Sequence, residues 1–188
     1  MQRPARWASS TTDGAGLTVF TIGHGTRPLD ELVETLRGAR VGTLVDVRRF
    51  PGSKRNPQFN VEPLHNALAA VGIAYRPTPE LGGRRSNEPG EERFSCIRVS
   101  AFRSYAAYMT TPEWQEALAE TLELPTPCYM CAETLWTRCH RRLIAEQLYA
   151  RGIDVVHLLN PTRREPHRPW DVADTRDGRL YLCGELVG

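Results

Sequence analysis

Residues 18–47 read TVFTIGHGTRPLDELVETLRGARVGTLVDV, and this stretch decides the fold. Thr18 to Ile22 is a short run of β-formers that stops at Gly23-His24-Gly25. Thr26 or Arg27 is placed to cap a helix with Pro28 in its first turn. Leu29, Leu32, Val33 and Leu36 then recur at the spacing of one helical face. Gly38 ends that helix, and Thr43 to Val47 is a second strand. Strand, helix, strand in this order points to a parallel pair.

The same alternation continues outward. A second helix starts near Glu62-Pro63 and carries Leu64, Ala67, Leu68 and Val71 on one face; Gly72 stops it, and Ile73 to Arg76 is a third strand. Thr78 to Arg93 is a long loop with Gly82, Gly83, Pro89 and Gly90, a length that marks a mobile or functional segment. Helices follow from about Val99 to Met109 and from Pro112 to Leu122, the latter capped by Thr111. Cys128 to Ala132 is the fourth strand, Arg138 to Arg151 a helix, and Asp154 to Leu159 the fifth strand. Asp177-Gly178 is a hairpin turn joining a run near Val172 to Leu180–Cys183. The expected class is α/β: a mainly parallel sheet of about five strands with helices on both faces, plus a C-terminal β-hairpin. Residues 1–17 are expected to be a flexible extension, and residues 18–188 a single α/β domain.

Composition narrows the function. A net charge of +2 is too small to imply nucleic-acid binding by itself, so any basic surface must be local. Lys54 is the sole lysine, and arginine is the better residue for gripping phosphate or carboxylate through two parallel bonds. The five cysteines, an odd number with no signal peptide before them, argue against a secreted disulfide scaffold. No run reaches the length of a membrane span, and the cytoplasm is the default compartment.

Several ordered segments resemble a known family. They are Thr21-Ile22-Gly23-His24-Gly25, Asp46-Val47-Arg48 with Pro51 and Ser53, and Gly72-Ile73-Ala74-Tyr75 before Leu81-Gly82-Gly83. Further matches are Phe102 to Met109, Cys131-Ala132-Glu133 and Cys139-His140-Arg141-Arg142-Leu143-Ile144-Ala145. In these the chain resembles the prokaryotic domain-of-unknown-function family 488. The resemblance implies a compact α/β domain and attaches no reaction to it. The first motif usually ends in Ser, where this chain has Gly25.

In parallel sheets the ligand crevice lies beyond the carboxyl ends of the strands. That rule selects Gly23-His24-Gly25, Asp46 to Arg49, the loop after Arg76, and Cys131 to His140. Cys139 sits where the loop after the fourth strand enters a helix, with His140 and Arg141 beside it, a setting that lowers a thiol pKa; its alternative is a buried small hydrophobe. Glu133 suits a general base, or an ion pair or cap. His24, between glycines that let backbone approach a ligand, suits proton transfer, or a hydrogen bond to a neighbouring loop. Asp46 and Arg48 share a strand face, and a buried Asp46 needs Arg48 or His24 as partner. Arg48, Arg49, Ser53, Lys54 and Arg55, with Phe50 and Phe59 interleaved, suit a phosphate and a stacked base, or a solvated basic loop. Cys128 and Cys131 have CxxC spacing, but on a strand they point to opposite faces, which disfavours a shared zinc or redox site.

The leading expectation is therefore an enzyme acting on a phosphate-bearing or otherwise anionic substrate, a nucleotide or nucleic acid included. Cys139, His24, Glu133 and Asp46 are its catalytic candidates. Arg48, Ser53, Lys54, Arg55, His140 and Arg141 are its binding candidates. The alternatives are a non-catalytic nucleic-acid-binding domain, and a metalloenzyme using His24, Cys139, His140 and a carboxylate. No cofactor is expected.

Overall fold

A computed structural model describes residues 17–188. The extension expected over residues 1–17 lies, apart from Leu17, outside the described residues. In chain order the elements are β1 (Thr18–Gly23), α1 (Leu29–Gly38), β2 (Thr43–Asp46), α2 (Val61–Ala69), β3 (Ala74–Pro77), α3 (Ser100–Met109) and α4 (Pro112–Leu122). There follow β4 (Pro127–Cys131), α5 (Arg141–Ala150), β5 (Asp154–Asn160), β6 (Arg163–Pro166), β7 (Ala173–Arg176), β8 (Arg179–Leu182) and β9 (Glu185–Leu186).

The main sheet has six strands in the order β3-β2-β4-β1-β5-β6. β1 to β5 pair in parallel, and β6 turns back antiparallel on β5. β1, β2 and β4 are covered on both faces, which is why their sequences are nearly continuous apolar runs. Successive side chains alternate between two cores. Phe20, Ile22, Leu44, Cys128 and Met130 pack with Leu32 and Leu36 of α1 and Leu64 and Leu68 of α2. Val19, Val45, Tyr129 and Cys131 face the other way, onto α3, α4 and α5.

α1 and α5 therefore leave the ends of β1 and β4 on opposite faces of the sheet, although those strands are neighbours. This is the arrangement that opens a crevice at the carboxyl edge. The expected C-terminal hairpin is present as β7 and β8 around Asp177-Gly178, and β9 extends it to three strands. Leu180, Leu182 and Val187 of this meander pack into the α5 core.

The cysteines differ from the expectation in one respect. Cys96 and Cys183 form a disulfide across a sequence separation of 87, tying the segment before α3 to the turn after β8. Cys128, Cys131 and Cys139 are free and buried.

Candidate functional site

A cavity of about 530 Å³ opens at the carboxyl ends of β1, β2 and β4. Its walls bring together His24, Arg48, Ser53, Arg55 and Glu133 from the sequence candidates, and add Phe50, Asn56, Arg84 and Thr134. Three guanidinium groups thus meet around one space that contains a single carboxylate, Glu133.

Asp46 and Arg48 build the floor. Arg48 donates from Nε to Asp46 Oδ1 at 2.8 Å and from Nη2 to the Phe59 carbonyl at 2.8 Å, and its Nη2 also lies on Asp46 Oδ2. Tyr75 Oη donates to Asp46 Oδ2 at 2.6 Å. Both charged side chains are almost wholly buried. Burial works against the Arg48 charge, but the Asp46 contacts outweigh it and raise the guanidinium pKa. Asp46 spends its lone pairs on Arg48 and Tyr75 and does not line the cavity.

His24 continues β1 past its end, its N–H donating to the Cys131 carbonyl at 2.9 Å. Its ring stacks on Phe59 with centroids 4.3 Å apart. Nδ1 lies 2.9 Å from the Gly25 carbonyl, an acceptor, so the proton sits on Nδ1. That leaves the Nε2 lone pair toward Arg48 Nη1 at 3.3 Å. Burial, with the Arg48 charge adding to it, lowers the His24 pKa to about 4, and the ring is neutral at pH 7.

The loop after β2 is preorganised. Ser53 N–H donates to Asn60 Oδ1 at 2.7 Å, and Asn56 N–H donates to Ser53 Oγ at 3.1 Å. Gln58 Nε2 donates to the Arg27 carbonyl at 3.3 Å, joining this loop to the one after β1. Lys54 is exposed and is not on the cavity wall.

Cys139, His140 and Arg141 are also absent from that wall. The α5 helix begins at Arg141 after a single 3-10 turn over Trp136–Arg138, and Cys139 is held in extended backbone before it. Its sulfur turns inward, 2.7 Å from Cys131 Sγ. Arg141 is buried under the Cys131–Thr134 segment, donating to Cys131 Sγ at 2.9 Å and to the carbonyls of Glu133 and Thr134 at 2.5 and 3.3 Å. Burial disfavours a charge on Cys139, yet the Cys131 hydrogen bond, His140 and Arg141 together hold its thiol well below the usual range. Burial first, and then the Cys139 contact, push Cys131 up.

Cys131, Cys139 and His140 are the metal-capable cluster among the described residues. It has neither His24 nor a carboxylate, so the donor set expected for a metalloenzyme does not assemble. The CxxC pair is likewise split, with Cys128 against α1 and α2 and Cys131 against α5.

A family model described as "Domain of unknown function DUF488" matches residues 28–148, well over half of the chain. The chain belongs to this family. The DUF488 match takes in the floor, the basic loop, Arg84, Glu133 and the Cys131–Arg141 segment, while His24 precedes it. No curated protein and no solved structure matches the chain. No helix among the described residues is long and apolar enough to cross a membrane.

Two contributors carried little signal in sequence. Arg84 sits in a long loop with no periodicity, marked in the sequence only by its length and glycines. Tyr75 sits on β3, and nothing local marks it as a partner for Asp46.

Proposed function

We propose that the cavity is the binding site of an enzyme acting on a phosphate-bearing small molecule of nucleotide type. One observation supports it above the rest: Arg48, Arg55 and Arg84 surround one polar space at the carboxyl edge of a parallel sheet. Among the described residues neither Arg55 nor Arg84 has an ion-pair partner. Arg48 is fixed by Asp46, so it presents Nη1 in a set geometry rather than as a mobile charge. Ser53, Asn56 and Thr134 add hydrogen-bonding groups.

Phe50 favours a nucleotide over a bare phosphate. Its ring is 63% exposed on the cavity wall and offers a face on which a base can stack. A base stacked there gains about 1–3 kcal/mol. Glu133, the wall's carboxylate, is the group assigned to proton transfer. His24 presents its Nε2 lone pair beside Arg48 Nη1, as an acceptor. Cys139 is assigned no part in this reaction, because its sulfur faces Cys131.

Isothermal titration with inorganic phosphate and with a nucleoside 5′-monophosphate tests this. The nucleotide should bind more tightly, and both should weaken with salt. Loss of a charged hydrogen bond costs about 1.5–3 kcal/mol, so Arg84→Ala should weaken both ligands roughly 10- to 100-fold. Phe50→Ala should remove the preference for the nucleotide. No saturable binding, or binding indifferent to Arg84→Ala, would overturn the proposal.

A further inference from the structure

Cys131 and Cys139 lie beneath the cavity wall, on the α5 face of the sheet, and the ligand site makes no use of them. Their sulfurs, 2.7 Å apart, are inside van der Waals contact yet beyond the roughly 2.05 Å of a disulfide bond. Cys139 Sγ accepts from the Arg141 N–H at 3.5 Å and lies against the Cys131 sulfur, with either sulfur able to donate, and 3.5 Å from His140 Nδ1. His140 Nε2 is buried without a partner. A buried N–H with no acceptor is costly, so the imidazole proton belongs on Nδ1, facing the sulfur.

Arg141 supplies a second, independent reason for charge on this pair. Its side chain is wholly buried, and its partners are Cys131 Sγ, the carbonyls of Glu133 and Thr134, and Thr21 Oγ1. None is a carboxylate. A buried guanidinium left without a counter-charge is strongly unfavourable. The two sulfurs, sharing one proton, are the partners that can provide the negative charge.

We propose that Cys131 and Cys139 form a redox-active dithiol that consumes small hydroperoxides. The Cys139 thiolate attacks the nearer peroxide oxygen. The O–O bond breaks, the sulfenic acid forms, and the leaving oxygen departs as hydroxide or alkoxide. The Cys131 sulfur then attacks Cys139 Sγ and closes the disulfide, while its proton and the sulfenic hydroxyl leave as water. The peroxide is reduced by two electrons, and the two cysteines are oxidised by the same two. Burial of both sulfurs restricts the oxidant to a small molecule. The proposal stands without any assumption about the ligand in the cavity.

The test treats the full chain with a few equivalents of hydrogen peroxide. Thiols are counted after denaturation, and disulfides are mapped by mass spectrometry of unreduced peptides. The three free thiols of the untreated protein should fall to Cys128 alone, with a Cys131–Cys139 peptide appearing and dithiothreitol reversing it. In Cys131→Ser the reaction should stop at a Cys139 sulfenic acid, trapped by dimedone present as the chain is denatured. Cys128→Ser should leave the wild-type outcome unchanged. An unchanged thiol count, oxidation of Cys139 beyond sulfenic acid with no cross-link, or a stoichiometric metal on the pair in the purified protein would each overturn the proposal. The wild-type disulfide map remains decisive even where a variant fails to fold.

Discussion

Asp46 shows how one side chain organises the cavity. It holds Arg48 and Tyr75, and through Arg48 it sets the position of the group facing His24. Removing one member of a buried ion pair leaves the other uncompensated, at about 3–5 kcal/mol. Asp46→Ala should therefore lower the unfolding free energy from urea titration by that margin; a value within error of wild type would contradict the pairing. His24 gives a pH signature. Its pKa is about 4 when folded against an ordinary 6.5, so between those values the unfolded chain binds a proton that folded His24 refuses. Stability should fall as pH drops through that window and be fully present above it. Burial lowers His157 too, so His24→Gln should remove part of the slope, measured as the urea midpoint at pH 4.5 and 7. Strand parity put Asp46 and Arg48 on one face, while leaving His24 open as the alternative partner. The inward turn of Cys139 was not legible, because it depends on a 3-10 turn over Trp136–Arg138 that has no periodic signature.

At the scale of elements, the strands with two covered faces were the easiest to read, since β1, β2 and β4 are apolar runs closed by glycine, proline or charge. β6 escaped because its sequence, Arg-Arg-Glu-Pro, has the charge and proline that protect a sheet edge and so no apolar alternation. α5 begins at Arg141 rather than Arg138, which moves Cys139 out of the helix and into the core. The start of α4 was legible: Thr111 Oγ1 accepts from the Trp114 N–H at 3.4 Å, with Pro112 at the first position. Thr111→Ala should cost about 1 kcal/mol. The β1 end is less tolerant. A Cβ at Gly23 would collide with the Glu133 carbonyl and the Arg141 guanidinium. Gly23→Ala should therefore destabilise the chain and weaken phosphate binding together, read by thermal melting and by titration; a well-folded variant with unaltered affinity would contradict that close approach.

Across the whole molecule, the two faces of the sheet divide the chemistry. The basic cavity and its Asp46–Arg48 floor are built with Phe59 on the α1–α2 side, and the sulfur pair with Arg141 on the α5 side. The sequence placed all these residues at one edge of the sheet but could not say that they form two centres. The disulfide joins distant parts of the chain, Cys96 and Cys183, and no local pattern marks it. A cross-link closing so long a loop stabilises by about 4.6 kcal/mol in the chain-entropy model. Cys183→Ser should melt at a lower temperature while keeping its ligand affinity; unchanged melting would mean the bridge contributes nothing.

The most direct measurement is a crystal structure of the protein grown with inorganic phosphate. We expect the anion held jointly by Arg48, Arg55 and Arg84, within hydrogen-bond reach of Ser53. Phosphate located elsewhere, with these three guanidinium groups bound only to solvent, would contradict the assignment of the cavity.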